Sequence, residues 1–162
     1  MKAIMYCDYG SPDVLELRDI ARPVPNDDQV LVRVHAASVN PLDWHFLRGT
    51  PYFIRFMTGL GKPKIRGLGV DVAGRVEEVG RNVTRFRPGD EVFGTCRGAL
   101  ADYACARESR LTTKPPNVTF EQAASVPVAG GTALQALRDK GRIRAGQKVL
   151  VEVPVAPGMA LF

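Results

Sequence analysis

Most of the side chains able to do chemistry in this chain crowd into one stretch, Asn40-Pro41-Leu42-Asp43-Trp44-His45, with Tyr52 and Phe53 close behind. His45 is the most useful titratable group there, because a neutral imidazole near pH 7 can give or take a proton. A phenol such as Tyr52 can donate a hydrogen bond to a carbonyl oxygen. Trp44, Phe46, Tyr52, Phe53 and Phe56 form more aromatic surface than a loop ordinarily carries. They read either as the wall of a pocket for an apolar ligand or as packing over the end of a core. Asn40 reads first as a helix N-cap, with Pro41 at the first helical position and Asp43 in the first turn, where the helix dipole favours a carboxylate. His35 sits on the mixed face of its strand and reads as solvated.

Other chemistries find little support. The three cysteines, Cys7, Cys96 and Cys105, contain no CxxC pair, so neither a disulfide framework nor a zinc ribbon is indicated; buried or half-buried free thiols are the simpler reading. The net charge of +5 could serve a polyanion, but the arginines are scattered, and Arg81, Arg85 and Arg87 are bracketed by Glu77, Glu78, Asp90 and Glu91. That pattern is a solvated mixed-charge turn, and nucleic acid is not expected as a partner. No apolar run approaches the roughly 20 residues that span a bilayer, and MKAIMYCDYG lacks a secretory signal, so a cytoplasmic protein away from membranes is expected.

The elements that must position these residues are mostly short strands. Lys2 to Tyr9 and Val14 to Ile20 read as strands around the turn Gly10-Ser11-Pro12. In Gln29 to Ala37, Val30, Val32 and Val34 share one face and Leu31, Arg33 and His35 the other. A short helix follows from Asn40 to about Leu47. Val70 to Val79, Glu91 to Thr95 and Leu100 to Ala106 add strands, with Asn82 to Asp90 a turn-rich connection; together they make a meandering barrel. After Lys114-Pro115-Pro116 the character changes. Phe120 to Ser125 and Thr132 to Lys140 read as helices, the second stopped by Gly141, and Gln147 to Val153 as one more strand.

Two glycine-bearing stretches are candidates for a phosphate cradle. Gly67-Leu68-Gly69-Val70-Asp71-Val72-Ala73-Gly74 has the wrong spacing for GxGxxG and runs into a strand, so no helix N-terminus gathers amides there. Its glycines read as relief of crowding where backbones pass closely. Pro154-Val155-Ala156-Pro157-Gly158, after a strand suited to open a Rossmann unit, is proline-rich and poor in amide donors.

In order and spacing, VRVHAASVNPLDWHFLRG (Val32 to Gly49), GLGVDVAGRVEEVGRNVTRFRPGDEVFG (Gly67 to Gly94) and SVPVAGGTALQAL (Ser125 to Leu137) resemble the medium-chain dehydrogenase/reductase superfamily, over about residues 1 to 153. The resemblance implies a mainly β fold, a GroES-like, partly open barrel with a few short helices over residues 1–125. Residues 126–162 would then be a connecting helix and the truncated start of a Rossmann domain, ending after its first strand. Where zinc alcohol dehydrogenases of this superfamily carry a Cys, a His-Glu pair and a second Cys, this chain has Asn40, Val70-Asp71 and Val128. A valine cannot ligate zinc, and a catalytic zinc needs three protein ligands, so no metal is expected.

The resemblance therefore points to the zinc-independent branch, similar to quinone oxidoreductases and enone reductases, which use NADPH to reduce a quinone or the carbon β to a carbonyl. It implies cofactor contacts from Asn40, Asp43 and Thr132, the last at the start of its helix. Substrate contacts would come from Trp44 and Phe53, with His45 and Tyr52 as candidate catalytic groups. His45 aligns with the end of a proton relay whose hydroxyl is replaced by Leu42, so it stands either as a ligand contact or as a surface histidine. The chain is expected to be inactive alone and to self-associate through an exposed C-terminal strand. The alternatives are a stand-alone barrel acting as a binding or regulatory module, and a zinc-type relative with displaced ligands.

Overall fold

The computed structural model describes residues 1–64 and 66–150. Strands β1 (Lys2–Tyr6) and β2 (Leu15–Asp19) form an antiparallel pair joined through a 3₁₀ turn at Pro12–Val14. Strands β3 (Gln29–Ser38), β4 (Asp71–Val79), β5 (Glu91–Thr95), β6 (Tyr103–Arg107) and β7 (Leu111–Thr113) build a second antiparallel sheet in the order β6-β3-β4-β5-β7. Single bridges, Ala3 to Ala101 and Met5 to Gly67, fasten the small pair to the large sheet. The helices are α1 (Pro41–Arg48), α2 (Ile54–Thr58), α3 (Phe120–Ala124) and α4 (Pro127–Leu134), the last running on into a π-helical segment, Gln135–Lys140. Among the described residues no helix is long and apolar enough to cross a membrane.

Alternation along the strands makes the core. Val30, Val32, Val72, Val76 and Val92 pack inside the sheet with Phe86, Cys96 and Leu111, and Leu31, expected on the wetter face, is buried as well. The pairing of β3 with β4 slips twice. His35 is an extra residue between the pairs Val34–Gly74 and Ala36–Ala73. A bulge of this kind shifts the parity of the strand. Beyond it Ala37 faces the core while Ala36 joins a satellite cluster with Phe120, and the His35 ring stacks on Phe120 with centroids 4.5 Å apart. The imidazole is exposed at its rim, as the sequence implied, but its face is covered.

The barrel strands lie where the alternation placed them, to within a few residues. Four elements differ from that reading. Helix α2 and strand β7 were not foreseen: α2 is five residues without a side-chain cap, and β7 is three residues long. The last helix starts at Pro127, five residues before Thr132, because proline is suited to a first turn. Its helical run does stop at Gly141, whose φ is −73°. The final strand expected at Gln147 to Val153 is not formed over residues 147–150, and Val151 to Val153 lie outside the described residues.

Buried polar groups complete the frame. Lys114, whose side chain is 5% exposed, places its ammonium 3.0 Å from Glu91 and donates to the carbonyls of Pro115 and Val118. That clamps β7 and the chain entering α3 to β5, and Lys114 and Arg75 hold the Glu91 carboxyl below its usual range. At Gly74 a Cβ would sit 2.0 Å from the Arg33 carbonyl oxygen of the neighbouring strand, whereas at Gly131 it would meet nothing within 4 Å. Gly74→Ala is therefore expected to abolish cooperative unfolding of the native state. Gly131→Ala should raise stability by about 0.5–1 kcal/mol, since alanine is the better helix former. Urea denaturation of both variants checks the contrast, and equal behaviour would contradict it.

Candidate functional site

Two carboxylates are buried side by side at one end of the sheet, Asp43 at 1% exposure and Asp71 at 0%. Buried charge survives only where donors meet it, and four segments supply them. The Asn40 backbone N–H donates to Asp43 Oδ2 at 2.8 Å, the N-cap position satisfied by the first-turn carboxylate, and the Gly69 N–H donates to Asp43 Oδ1 at 3.2 Å. Asp71 accepts from Ser38 Oγ at 3.0 Å and from Asn40 Nδ2 at 3.2 Å. The Val128 N–H, at the start of α4, completes its shell at 3.2 Å from both oxygens. Asn40 is thus the pivot, its backbone serving one acid and its amide the other.

Burial pushes the Asp43 carboxyl upward, and the nearby Asp71 charge adds to the rise, while the N–H donors of Asn40 and Gly69 oppose it. Gly69 is essential to this geometry. Its φ is +99° and a Cβ there would come within 2.7 Å of the Leu100 amide nitrogen. The chain around it is tied up in the fold: the Tyr6 N–H donates to the Arg66 carbonyl beside the Met5–Gly67 bridge, the Gly69 N–H serves Asp43, and Asp71 onward is strand. The stretch runs into β4, so no helix N-terminus gathers its amides.

Asn40, Asp71 and Val128, the positions that resemblance aligned with zinc ligands, do come together. What they form is a closed hydrogen-bond network. Among the described residues no buried side-chain nitrogen or oxygen lacks a partner, and no group of three His, Cys, Asp or Glu side chains is disposed to hold a metal. An amide, one acid and a valine do not suit zinc. The nearest thiol, Cys96, is pushed up to about 12 by burial, with Asp71 adding to the rise.

Beside this network lie α1 and α2 with their aromatic side chains. His45 is half-buried, and its Nδ1–H donates to the Thr50 carbonyl at 2.7 Å while the Thr50 N–H returns to the His45 carbonyl at 3.3 Å. A carbonyl only accepts, so the neutral ring carries its proton on Nδ1 and presents Nε2 as an acceptor. The sequence offered surface residue or ligand contact; the Nδ1 side of the ring locks the end of α1. Trp44 stands edge-on to His45, with Arg48 over its face. Tyr52 and Phe53 are 72% and 64% exposed, and Phe56 and Met57 are similarly open. Arg55 lies between the rings of Tyr9 and Tyr52, 4.6 and 4.9 Å from their centroids, and donates Nε–H to the Gly49 carbonyl. Thr132 is the sixth residue of α4, not its first; its side chain is exposed, with no hydrogen-bond partner among the described residues, so it does not cap the helix. The recess lined by Tyr6, Asp43, Phe46, Met57 and Arg97 offers only about 30 Å³, room for a water or two.

The sequence marks Asp71 and Val128 only as positions aligned with a zinc site, and Ser38 and the Val128 amide not at all. The available signal was a lone aspartate inside the apolar run Val70 to Ala73, since a carboxylate there has to find buried donors.

This antiparallel barrel with its capped helix and buried acid network matches the family model described as the alcohol dehydrogenase GroES-like domain over residues 26–117, and the chain belongs to that family. Within it, the chain is a member of the medium-chain dehydrogenase/reductase superfamily on its quinone oxidoreductase branch. It is 39% identical over 155 residues to the human quinone oxidoreductase, covering 93% of this chain and 45% of that protein. A tomato 2-methylene-furan-3-one reductase is 37% identical over 168 residues, with 93% and 40% covered. A mycobacterial protein solved in complex with NADPH superposes with a TM-score of 0.78 at 31% identity, over 90% of this chain and 43% of that one. The chain thus spans about half the length of the relatives it matches.

Two measurements test the network. Asp43→Asn turns an NH₂ toward one of two N–H donors and should destabilise by about 1–3 kcal/mol at pH 7. Because the folded carboxyl is raised above its unfolded value, the native state holds the proton more tightly, and the Asp43 contribution is lost as pH rises through the raised value. The margin of wild type over Asp43→Asn should therefore widen as pH falls toward the usual carboxylate range; a margin that shrinks on acidification in urea melts would refute the assignment. Iodoacetamide labelling of the native protein at pH 8 should reach Cys7 first and Cys96 last, since the thiolate is the reactive form. Early labelling of Cys96 by mass spectrometry would contradict its burial.

Proposed function

We propose that this chain is the substrate-side part of a zinc-independent, NADP(H)-dependent oxidoreductase that reduces quinones or α,β-unsaturated carbonyls. The observation that carries this reading is the closed network of Asn40, Asp71 and the Val128 amide standing where a Lewis-acid metal would otherwise polarise a carbonyl. NADPH, when bound, supplies the hydride. The residues here would exclude water, orient the acceptor and meet charge on its oxygen. Trp44 and Phe53 present apolar surface for a flat acceptor, and Tyr52 offers an O–H without a partner among the described residues. His45 Nε2 is an acceptor in the neutral ring, and protonation would make it a donor. The hydroxyl of Thr132 and the side of the Asn40 network fit the nicotinamide end of the cofactor, with Asp43 acting on the cofactor only through Asn40.

The described residues supply no set of converging amides for the dinucleotide phosphates, so we place that grip outside them, and turnover requires it. Val126, Leu134 and Ile143 are exposed on and after α4, a surface suited to a second domain beginning near residue 126. Self-association through residues near the C-terminus and a cytoplasmic setting fit the same reading.

Trp44 is the chain's single tryptophan, which makes the wall measurable. Titration with 1,4-naphthoquinone should quench its emission saturably with an unchanged fluorescence lifetime, and Tyr52→Ala/Phe53→Ala should weaken that binding by about tenfold or more. NADPH oxidation by the chain alone should be absent and zinc content negligible. Linear, purely collisional quenching would sink the substrate assignment; turnover by the chain alone or stoichiometric zinc would sink the mechanism.

A further inference from the structure

The end of β5 and the edge strand β6 border one opening without sharing hydrogen bonds, since β6 pairs only with β3, and β5 with β4 and β7. The opening between them is a cleft of about 340 Å³ lined by Gln29, Thr95, Arg97, Arg107 and Arg110 beside the thiols of Cys96 and Cys105. We propose that this cleft binds a compact polyphosphate anion, an inference independent of the hydride-transfer reading.

Three features converge on that ligand. Local structure brings the arginines together from separate places: Arg97 follows β5, Arg107 ends β6, and Arg110 closes the 3₁₀ turn Glu108–Arg110 that leads into β7. The Arg110 backbone is held against β5, because a Cβ on Gly94 would lie 2.0 Å from its carbonyl oxygen. The lining contains no acid, and none of the three guanidinium groups has a hydrogen-bond or ion-pair partner among the described residues, unlike Arg22, Arg75 and Arg81, which pair with carboxylates.

The neighbouring acids are committed elsewhere. Glu108 Oε1 accepts the backbone N–H groups of Thr84 and Arg85 at 2.8 and 2.6 Å, and Asp28 Oδ1 accepts from Asn82 Nδ2 at 2.9 Å. Three planar, permanently charged forks around one concavity, with the Gln29 amide and the Thr95 hydroxyl as further donors, match the tetrahedral oxygens of linked phosphates better than a single small anion. The cleft is open and polar, which suits a hydrated, multiply charged ligand rather than an apolar one.

Isothermal titration in about 0.1 M KCl, where distant charges are already screened, tests this with orthophosphate, pyrophosphate and tripolyphosphate. Saturable binding should appear with the linked phosphates, at least about tenfold tighter than with orthophosphate. Arg110→Gln and Arg107→Gln should each weaken tripolyphosphate by about fivefold or more. Arg81→Gln removes the same charge at a paired arginine outside the cleft and should change affinity by less than about twofold. Circular dichroism melts of the unliganded variants establish that all three remain folded. ADP as tight as pyrophosphate identifies the phosphates alone as the recognised group, and tighter ADP identifies a nucleotide source; both support the site. Citrate binding as tightly as tripolyphosphate, loss of affinity in Arg81→Gln equal to that in Arg110→Gln, or absence of saturation would each overturn it.

Discussion

Two negative charges removed from water within one short reach of each other set the terms for this barrel. A carboxylate in a low-dielectric interior is tolerable only when hydrogen-bond donors are already aimed at it, and the donors to Asp43 and Asp71 come from α1, β3, the turn before β4 and the start of α4. None of these segments can shift without leaving a charge unpaired. The network therefore fixes how the helix bearing the aromatic side chains leaves the sheet, and where the chain enters α4. Stability and site geometry are the same set of bonds.

Metal-dependent members of a fold can use a cation to hold such segments together; here an asparagine does so. Its backbone N–H faces one acid and its amide the other, and the side-chain nitrogen also reaches Ser38 Oγ at 3.2 Å. An amide has no charge to neutralise, so both acids depend on dipoles alone. Burial, only partly offset by those dipoles, holds the Asp43 carboxyl above its normal range while the fold still contains it.

Much of this was legible in the residues. The valine alternation of β3, the Asn40-Pro41 helix start and the glycine-marked run into β4 all rest on local stereochemistry, which sequence carries directly. Gly74 shows the same rule across strands: the need for hydrogen in place of a side chain comes from the Arg33 carbonyl. What could not be read was set by tertiary partners. The bulge at His35 depends on the register with Gly74 and Ala73, and Leu31 is buried although its neighbours on that face are polar. Helical character through Lys140 was legible, whereas its π winding has no periodic signature. The arginines of the open cleft are scattered along the chain and meet only because β6 and β7 lie at opposite edges of a curved sheet.

Arg55 has a consequence beyond its immediate contacts. Its guanidinium is stacked between Tyr9, which follows β1, and Tyr52, and it is tethered to the Gly49 carbonyl, while the Tyr9 hydroxyl lies 2.7 Å from Thr58 Oγ1 and donates to the Gly59 carbonyl. The two short helices and the first hairpin are consequently one mechanical plate with a cation as its rivet. The contour of the aromatic surface is governed from behind, by a tyrosine on the opposite side of that rivet, so a change at Tyr9 would reshape which molecules fit without touching any of them.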